Sequence, residues 1–167
     1  MNTPDLRAAI VALLPDLRGY ARFVTRDRTE ADDLVQEALV RALGALHQFR
    51  PGTNLRAWLF VILRNAFFEQ ARRRRTERAL LERRVPAEEP APPAQETRSE
   101  LADLEGQIYI LPPLLRESLV LVAAQGMSYE QAAEICNVPV GTIKARVSRA
   151  RASLARSMQR VTTQSEE

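Results

Sequence analysis

The residues between Val140 and Leu154 have the types and spacing that recognise an anionic polymer. An apolar stripe recurs there every three or four residues, which predicts a helix with one buried face. Its members are Val140, Ile143, Val147, Ala150 and Leu154. The side chains off that stripe are Lys144, Ala145, Ser148, Arg149 and Arg151. Lysine, serine and arginine donate hydrogen bonds to guanine edges and phosphates in a DNA major groove, so this helix is a candidate recognition helix.

A shorter helix and a tight turn precede it. Ser128 and Gln131 have the spacing of a capping box, which predicts a helix from Tyr129 to Cys136. Pro139 cannot continue that helix but suits the start of the next one. A helical hairpin with a merely solvated outer face is the alternative interpretation. Charge sign disfavours it, because residues 137–165 contain six basic groups and no acid.

Charge is unevenly distributed along the chain, although its net value is only +3. Residues 50–84 hold ten basic and three acidic groups, and residues 135–167 hold six and two. Residues 85–134, between them, hold two basic and nine acidic groups. The pattern predicts two basic surfaces separated by an acidic segment.

Groups that could carry enzymatic or metal chemistry are scarce. Cys136 is the only cysteine, which excludes an internal disulfide and indicates a small core residue. His47 is the only histidine and has no clustered ligands, so a charge near a helix end is expected rather than a metal site. We therefore predict no enzymatic activity, no cofactor, no metal and no small-molecule substrate. The chain shows neither a signal peptide nor an apolar run of ~20 residues, which predicts a cytoplasmic protein without membrane insertion.

The pattern of elements predicts an all-α protein with two small helical domains. Residues 85–99 contain four prolines and are predicted to be a flexible linker between domains at 1–84 and 100–167. The first domain is predicted to contain helices from Asp5 to Arg26, from a cap at Thr29, and from Leu55 to Arg84. In the second, Pro112 and Pro113 are expected to open a helix that ends near Leu121.

Three segments resemble a known family. They are DDLVQEALVRAL from Asp32, LRAWLFVILRNAFFEQARRRR from Leu55, and LPPLLRESLVL followed by MSYEQAAEICNVPVGTIKARVSRAR. Together and in this order they look like the σ2 and σ4 domains of extracytoplasmic-function sigma factors. The stretch FRPGTNLRAWLF from Phe49 is further similar to the general stress-response, EcfG-like branch.

The resemblance implies roles for three sets of residues. A docking surface for the clamp helices of the RNA polymerase β′ subunit falls on Asp32, Asp33, Gln36 and Glu37; an acidic first turn that only balances the helix dipole is the alternative. Contacts with the promoter −10 strand, including one flipped base at Asn65, fall on Asn54, Arg56, Asn65, Arg72, Arg73, Arg74 and Arg75. Contacts with the −35 element fall on Thr142, Lys144, Arg146, Ser148, Arg149 and Arg151. Trp58, in contrast, is expected to be a core residue.

The implied function is transcription initiation. The chain would bind core RNA polymerase through its β′ and β subunits, direct it to −10/−35 promoter DNA in a stress response, and be restrained by an anti-sigma factor, possibly NepR-like. The alternative is a sigma-like decoy that binds an anti-sigma factor and never acts on DNA.

Overall fold

The structure of the protein is a computed structural model that describes residues 3–82 and 100–164. The N-terminal half contains α1 (Thr3–Ala12), α2 (Leu14–Thr25), α3 (Arg28–Gly44), a 3-10 turn at Leu46–Gln48, and α4 (Leu55–Glu82). The C-terminal half contains α5 (Glu100–Ile110), α6 (Pro113–Leu119), α7 (Tyr129–Cys136) and α8 (Val140–Gln164). Within these ranges there is no strand, and the all-α prediction is confirmed.

Two predictions about the first helices are wrong. The single helix predicted from Asp5 to Arg26 is two helices that meet at Leu13, because Pro15 lies in the first turn of α2 and cannot donate to the preceding turn. The cap of α3 is Asp27 and not Thr29. The Asp27 carboxylate accepts a hydrogen bond of 2.8 Å from the Glu30 backbone N–H.

The helix-turn-helix agrees with the sequence pattern. Ser128 and Gln131 form both hydrogen bonds of the capping box, and α7 has the predicted bounds. Asn137 then adopts a left-handed conformation with φ 52° and ends α7, a geometry that asparagine tolerates. Before this motif, α6 continues into one π-helical turn at Val120–Ala124. Neither that turn nor α5 was expected from the sequence.

The two halves share one continuous core. Its fully buried members include Tyr20, Phe60 and Leu63 from the N-terminal half and Ile135 and Ile143 from the C-terminal half. Helix α4 packs against α7, and α2 packs against α6. The predicted linker, residues 85–99, lies outside the described residues, so the domain limits stay a prediction.

Cys136 lies in this core, as the sequence indicated. It is 3% exposed, and burial, reinforced by the Glu117 carboxylate, raises the pKa of the thiol to about 12. Because the thiolate is the reactive form, the native protein is expected to resist iodoacetamide at pH 8, whereas the chain in urea should be alkylated readily. Mass spectrometry after timed quenching measures the difference. Equal rates in the two conditions would contradict the buried placement.

Candidate promoter and polymerase interfaces

The outer face of α8 is basic and open to solvent. Lys144, Ser148, Arg149 and Arg151 are exposed, and Thr142 and Arg146 are half-buried. The Lys144 ammonium lies 5.8 Å from the centre of the Tyr129 ring, which links α8 to the start of α7. The apolar stripe of α8 faces inward, with Ile143, Val147 and Ala150 at most 1% exposed. One helix therefore anchors itself in the core and presents cations and a hydroxyl outward.

The neighbouring surface adds an open cleft of about 740 Å³ between α6 and α8. Thr142, Arg146 and Arg149 line it from α8, and Pro113 and Leu114 from α6. Three of the predicted −35 residues, Thr142, Arg146 and Arg149, therefore share one continuous surface.

The acidic residues of α3 fall into two groups. Asp33 and Gln36 are exposed. Asp32 lies 3.9 Å from Arg18, and Glu37 accepts hydrogen bonds from Gln70 and Arg41. The bond from Gln70 and the interaction with Arg41 lower the pKa of Glu37, so its carboxylate stays charged near neutral pH. Asp33 and Gln36 are the members of the predicted set that are most available to a partner.

A second basic surface runs along α4. Asn65 is exposed and lines an open cleft of about 410 Å³ with Arg64, Phe68, Glu69 and Arg72, all from α4. Of the five, Asn65 and Arg72 were predicted from the sequence. Arg64 and Phe68 were missed, although their i, i+4 spacing places them beside Asn65 on one face of a helix. Phe67, the neighbouring ring, is half-buried and packs against the core.

The remaining predicted −10 residues have different surroundings. Asn54 caps α4, since its side-chain oxygen accepts a hydrogen bond of 3.0 Å from the Ala57 backbone N–H. Arg72, Arg73, Arg74 and Arg75 are all exposed, and Arg74 forms an ion pair of 2.7 Å with Glu30 of α3. Trp58 is half-buried against the core, with its ring 5.4 Å from that of Phe49, as expected for a packing residue.

Arg56 lies at the seam between the two halves. Its guanidinium donates to the Asp16 carboxylate at 2.9 Å and to the Gln125 backbone oxygen at 2.7 Å. The arginine that the sequence placed on the −10 strand therefore joins α2 and α4 to the segment just before α7.

A buried polar cluster forms the centre of the same seam. The Glu117 carboxylate of α6 accepts hydrogen bonds from the Tyr20 hydroxyl at 2.8 Å and from Arg64 Nε at 2.7 Å. Burial, together with the nearby Glu117 charge, raises the pKa of Tyr20 well above its usual value. Burial has the largest single effect on the pKa of Arg64 and lowers it, but the hydrogen bond to Glu117 and the charge of that carboxylate together outweigh burial and raise the pKa. Inside this interface the Arg64 charge balances that of Glu117, and the Glu117 carboxylate accepts the hydrogen bonds that Tyr20 and Arg64 donate.

Comparisons with known proteins decide the family. The chain matches Sigma-70 region 2 over residues 9–77 and Sigma-70, region 4 over residues 102–154. It is 44% identical over 92% of its length to the ECF RNA polymerase sigma factor EcfG of Rhodopseudomonas palustris, and the alignment covers 84% of that protein. This chain belongs to the extracytoplasmic-function sigma factors. It is a transcription initiation factor, as the motifs implied.

Solved structures agree with that assignment. The sigma factor RpoE of Bartonella quintana, in complex with the anti-sigma factor NepR, superimposes with a TM-score of 0.79 at 38% identity, over 93% of this chain and 97% of that one. CnrH, in complex with the cytosolic domain of CnrY, gives a TM-score of 0.68 at 30% identity, over 95% and 90% of the two chains. Residues 3–82 and 100–164 include no helix that combines the length and apolarity of a membrane span.

Proposed function

We propose that this sigma factor reads duplex −35 DNA with α8 and captures melted −10 DNA with α4 while α3 holds core RNA polymerase. The observation that carries the proposal is the presence of two separate basic surfaces on one chain, at Lys144 to Arg151 and at Arg64 to Arg75. Phosphate contacts from arginine and lysine supply affinity, and side chains aimed at base edges supply specificity. With two surfaces the chain can bind two promoter elements at once, and the affinities of the two contacts then combine.

On α8, Lys144, Ser148 and Arg149 are proposed to contact bases, since they are exposed near the start of a helix that follows a tight turn. Thr142, Arg146 and Arg151 are proposed to hold phosphates. On α4, Asn65 is proposed to read a base that leaves the duplex stack, because an exposed amide offers both a donor and an acceptor to a base edge. Arg72 to Arg75 would track the adjacent backbone.

Regulation follows by similarity. The sigma factor of Bartonella quintana was solved with NepR bound, and we infer that an anti-sigma factor of the same kind restrains this chain. The likeness to EcfG supports a role in the general stress response. Such a factor acts in the cytoplasm, where polymerase and promoter DNA are found, and it performs no bond chemistry of its own.

In vitro transcription from promoters mapped after expression of the chain tests the proposal. Core polymerase with the chain should yield a run-off product from these promoters, and core polymerase alone should not. A decoy would instead bind the anti-sigma factor and leave the product absent. Run-off that is unchanged when both the −10 and −35 elements are scrambled would contradict the proposal.

Charge reversal on α3 should weaken the complex with polymerase. Asp33→Arg is expected to lower the affinity for core polymerase about tenfold, because a charge at the rim of an interface steers association. Glu77→Arg, the reversal of another exposed acidic residue on α4, is the matched control and should leave that affinity unchanged. Fluorescence anisotropy of labelled chain titrated with core polymerase, without DNA, measures both. If Glu77→Arg weakens binding as much as Asp33→Arg, the surface is not specific.

A further inference from the structure

Arg116 of α6 is a buried cation whose hydrogen bonds are incomplete. The residue is 8% exposed. Its Nη2 donates to the Leu111 backbone oxygen at 3.1 Å, and its Nε has no hydrogen-bond partner in the part of the chain that the structure describes. Arg64 in the same seam differs, because the Glu117 carboxylate pairs with it. Since a buried charge is normally paired, we expect an anion to complete the surroundings of Arg116.

A second arginine reaches the same place from the other half of the fold. Arg26 ends α2 in a left-handed conformation with φ 64°. Both guanidinium groups approach the ring of Tyr109 in α5, with the carbon of Arg26 5.0 Å and that of Arg116 5.9 Å from the ring centre. Burial lowers the pKa of Arg116 most, and the charge of Arg26 lowers it further. The two cations are therefore close enough to repel each other.

The acids on the neighbouring turns do not supply the anion. Glu105 of α5 is exposed, and within the described ranges no ion pair joins it to an arginine. Glu117 follows Arg116 in the chain, but its carboxylate accepts the hydrogen bonds of Tyr20 and Arg64. Arg116 and Glu117 border a cavity of about 40 Å³ between α2, α4 and α6, so protein atoms do not fill all the space beside Arg116.

We propose that Arg116 and Arg26 form a binding site for a phosphate dianion at the seam between the two halves. A guanidinium group binds phosphate through its fork of N–H donors, and these hydrogen bonds are charge-assisted. Because no described carboxylate forms an ion pair with either arginine, a dianion matches the site better than a singly charged group. A phosphate of duplex DNA does not fit, since Arg116 is buried and a duplex stays outside the seam.

An anion at this site connects the two halves. Arg26 belongs to the N-terminal half and Arg116 to the C-terminal half, so a phosphate bound to both stabilises the packed arrangement. A ligand that binds one arrangement shifts the equilibrium toward it. In that arrangement Arg64 stays paired with Glu117. The site shares no residue with the proposed promoter and polymerase interfaces, so the inference does not depend on the proposed function.

The test compares the thermal stability of the full chain in inorganic phosphate and in sodium chloride of equal ionic strength. Millimolar phosphate should raise the melting temperature of the wild type, because a ligand of the native state stabilises that state. Arg116→Met removes an unpaired buried charge, so it should be at least as stable as the wild type without phosphate and should not respond to phosphate. Arg26→Gln, at an exposed position, should need about tenfold more phosphate for the same shift, since it loses charged hydrogen bonds.

Arg28→Gln is the matched control for these variants. It removes the same charge two residues beyond Arg26, at an exposed position, and among the described contacts Arg28 has none with the Tyr109 ring. It should keep the wild-type response to phosphate. Equal responses in the wild type, Arg116→Met and Arg28→Gln would overturn the inference, because the effect would then be general. A wild-type chain that does not respond to phosphate would overturn it as well.

Hydrogen exchange shows whether the anion connects the halves. In the wild type, phosphate should slow amide exchange in the peptide that contains the end of α2 and also in the peptide that contains α6. Arg26→Gln should show much weaker protection of both peptides at the same phosphate concentration. Protection of one peptide alone would contradict the inference, because the site would then lie within one half.

Discussion

Replacing Lys144 and Arg149 together by alanine is expected to lower promoter-dependent transcription roughly 100-fold, because each good base contact contributes about 1–3 kcal/mol of discrimination. Both side chains are exposed on α8, and neither forms an ion pair within the described residues. The double substitution should therefore leave the fold and the affinity for core polymerase intact. Run-off transcription at equal holoenzyme occupancy measures the effect.

Arg156→Ala is the matched control for this prediction. Arg156 is an exposed arginine on the same side of the same helix, about two turns beyond Arg149, so its loss removes the same charge at a distance from the residues proposed to contact bases. It should weaken binding slightly and equally for all sequences, and the effect should fade as salt is raised. Losses of similar size in Arg156→Ala and in the double variant would show that α8 supplies general charge and not base recognition.

The second large effect is expected at the seam. Arg64→Met should open the packed arrangement of the two halves, because it leaves the Glu117 carboxylate buried without its cationic partner. Glu117 is 4% exposed, and removal of one partner from a buried ion pair costs about 3–5 kcal/mol. The free chain can relieve that cost by separating its halves and hydrating Glu117. Small-angle scattering of the free chain should show a larger radius of gyration than the wild type.

A double-mutant cycle gives this prediction its control. In Arg64→Met with Glu117→Gln, no charge is buried and Tyr20 retains a hydrogen-bond acceptor, so the compact form should return. The free energies of unfolding of the two single variants and the double variant then give the coupling between the two side chains. A compact Arg64→Met chain, or strictly additive energies, would contradict the importance of this cluster.

The parts of the fold that local sequence signals determine were predictable. The bounds of α7 follow from the capping box at Ser128 and Gln131, and Pro139 marks the start of α8. The division at Leu13 was missed because the apolar periodicity runs through Pro15 without a gap. At α3, Asp27 and Thr29 are both good caps, and the choice depends on where the preceding helix ends, which spacing does not indicate.

The candidate site was predictable only where one helix supplies it. The apolar stripe of α8 predicts which side of the helix is buried, and Lys144, Arg149 and Arg151 are exposed on the other side as that stripe predicts. The contacts of Arg56 and Glu117 across the seam could not be predicted, because their partners, Gln125 and Arg64 respectively, are 69 and 53 residues away in the chain. Phe68 was hidden by its neighbour Phe67, since either ring satisfies the apolar pattern and the packing of α4 against the core decides which one faces outward.

Promoter binding with core polymerase added and withheld tests the central claim most directly. A labelled duplex carrying a mapped promoter, at physiological salt, should be bound by chain plus polymerase at least about 1,000-fold more tightly than a scrambled duplex, which is the lower end of specific protein–DNA discrimination. The chain alone should show no such preference, because Arg64 of the α4 cleft is held there by the Glu117 carboxylate of α6. Failure of polymerase to produce sequence-specific binding would contradict the account.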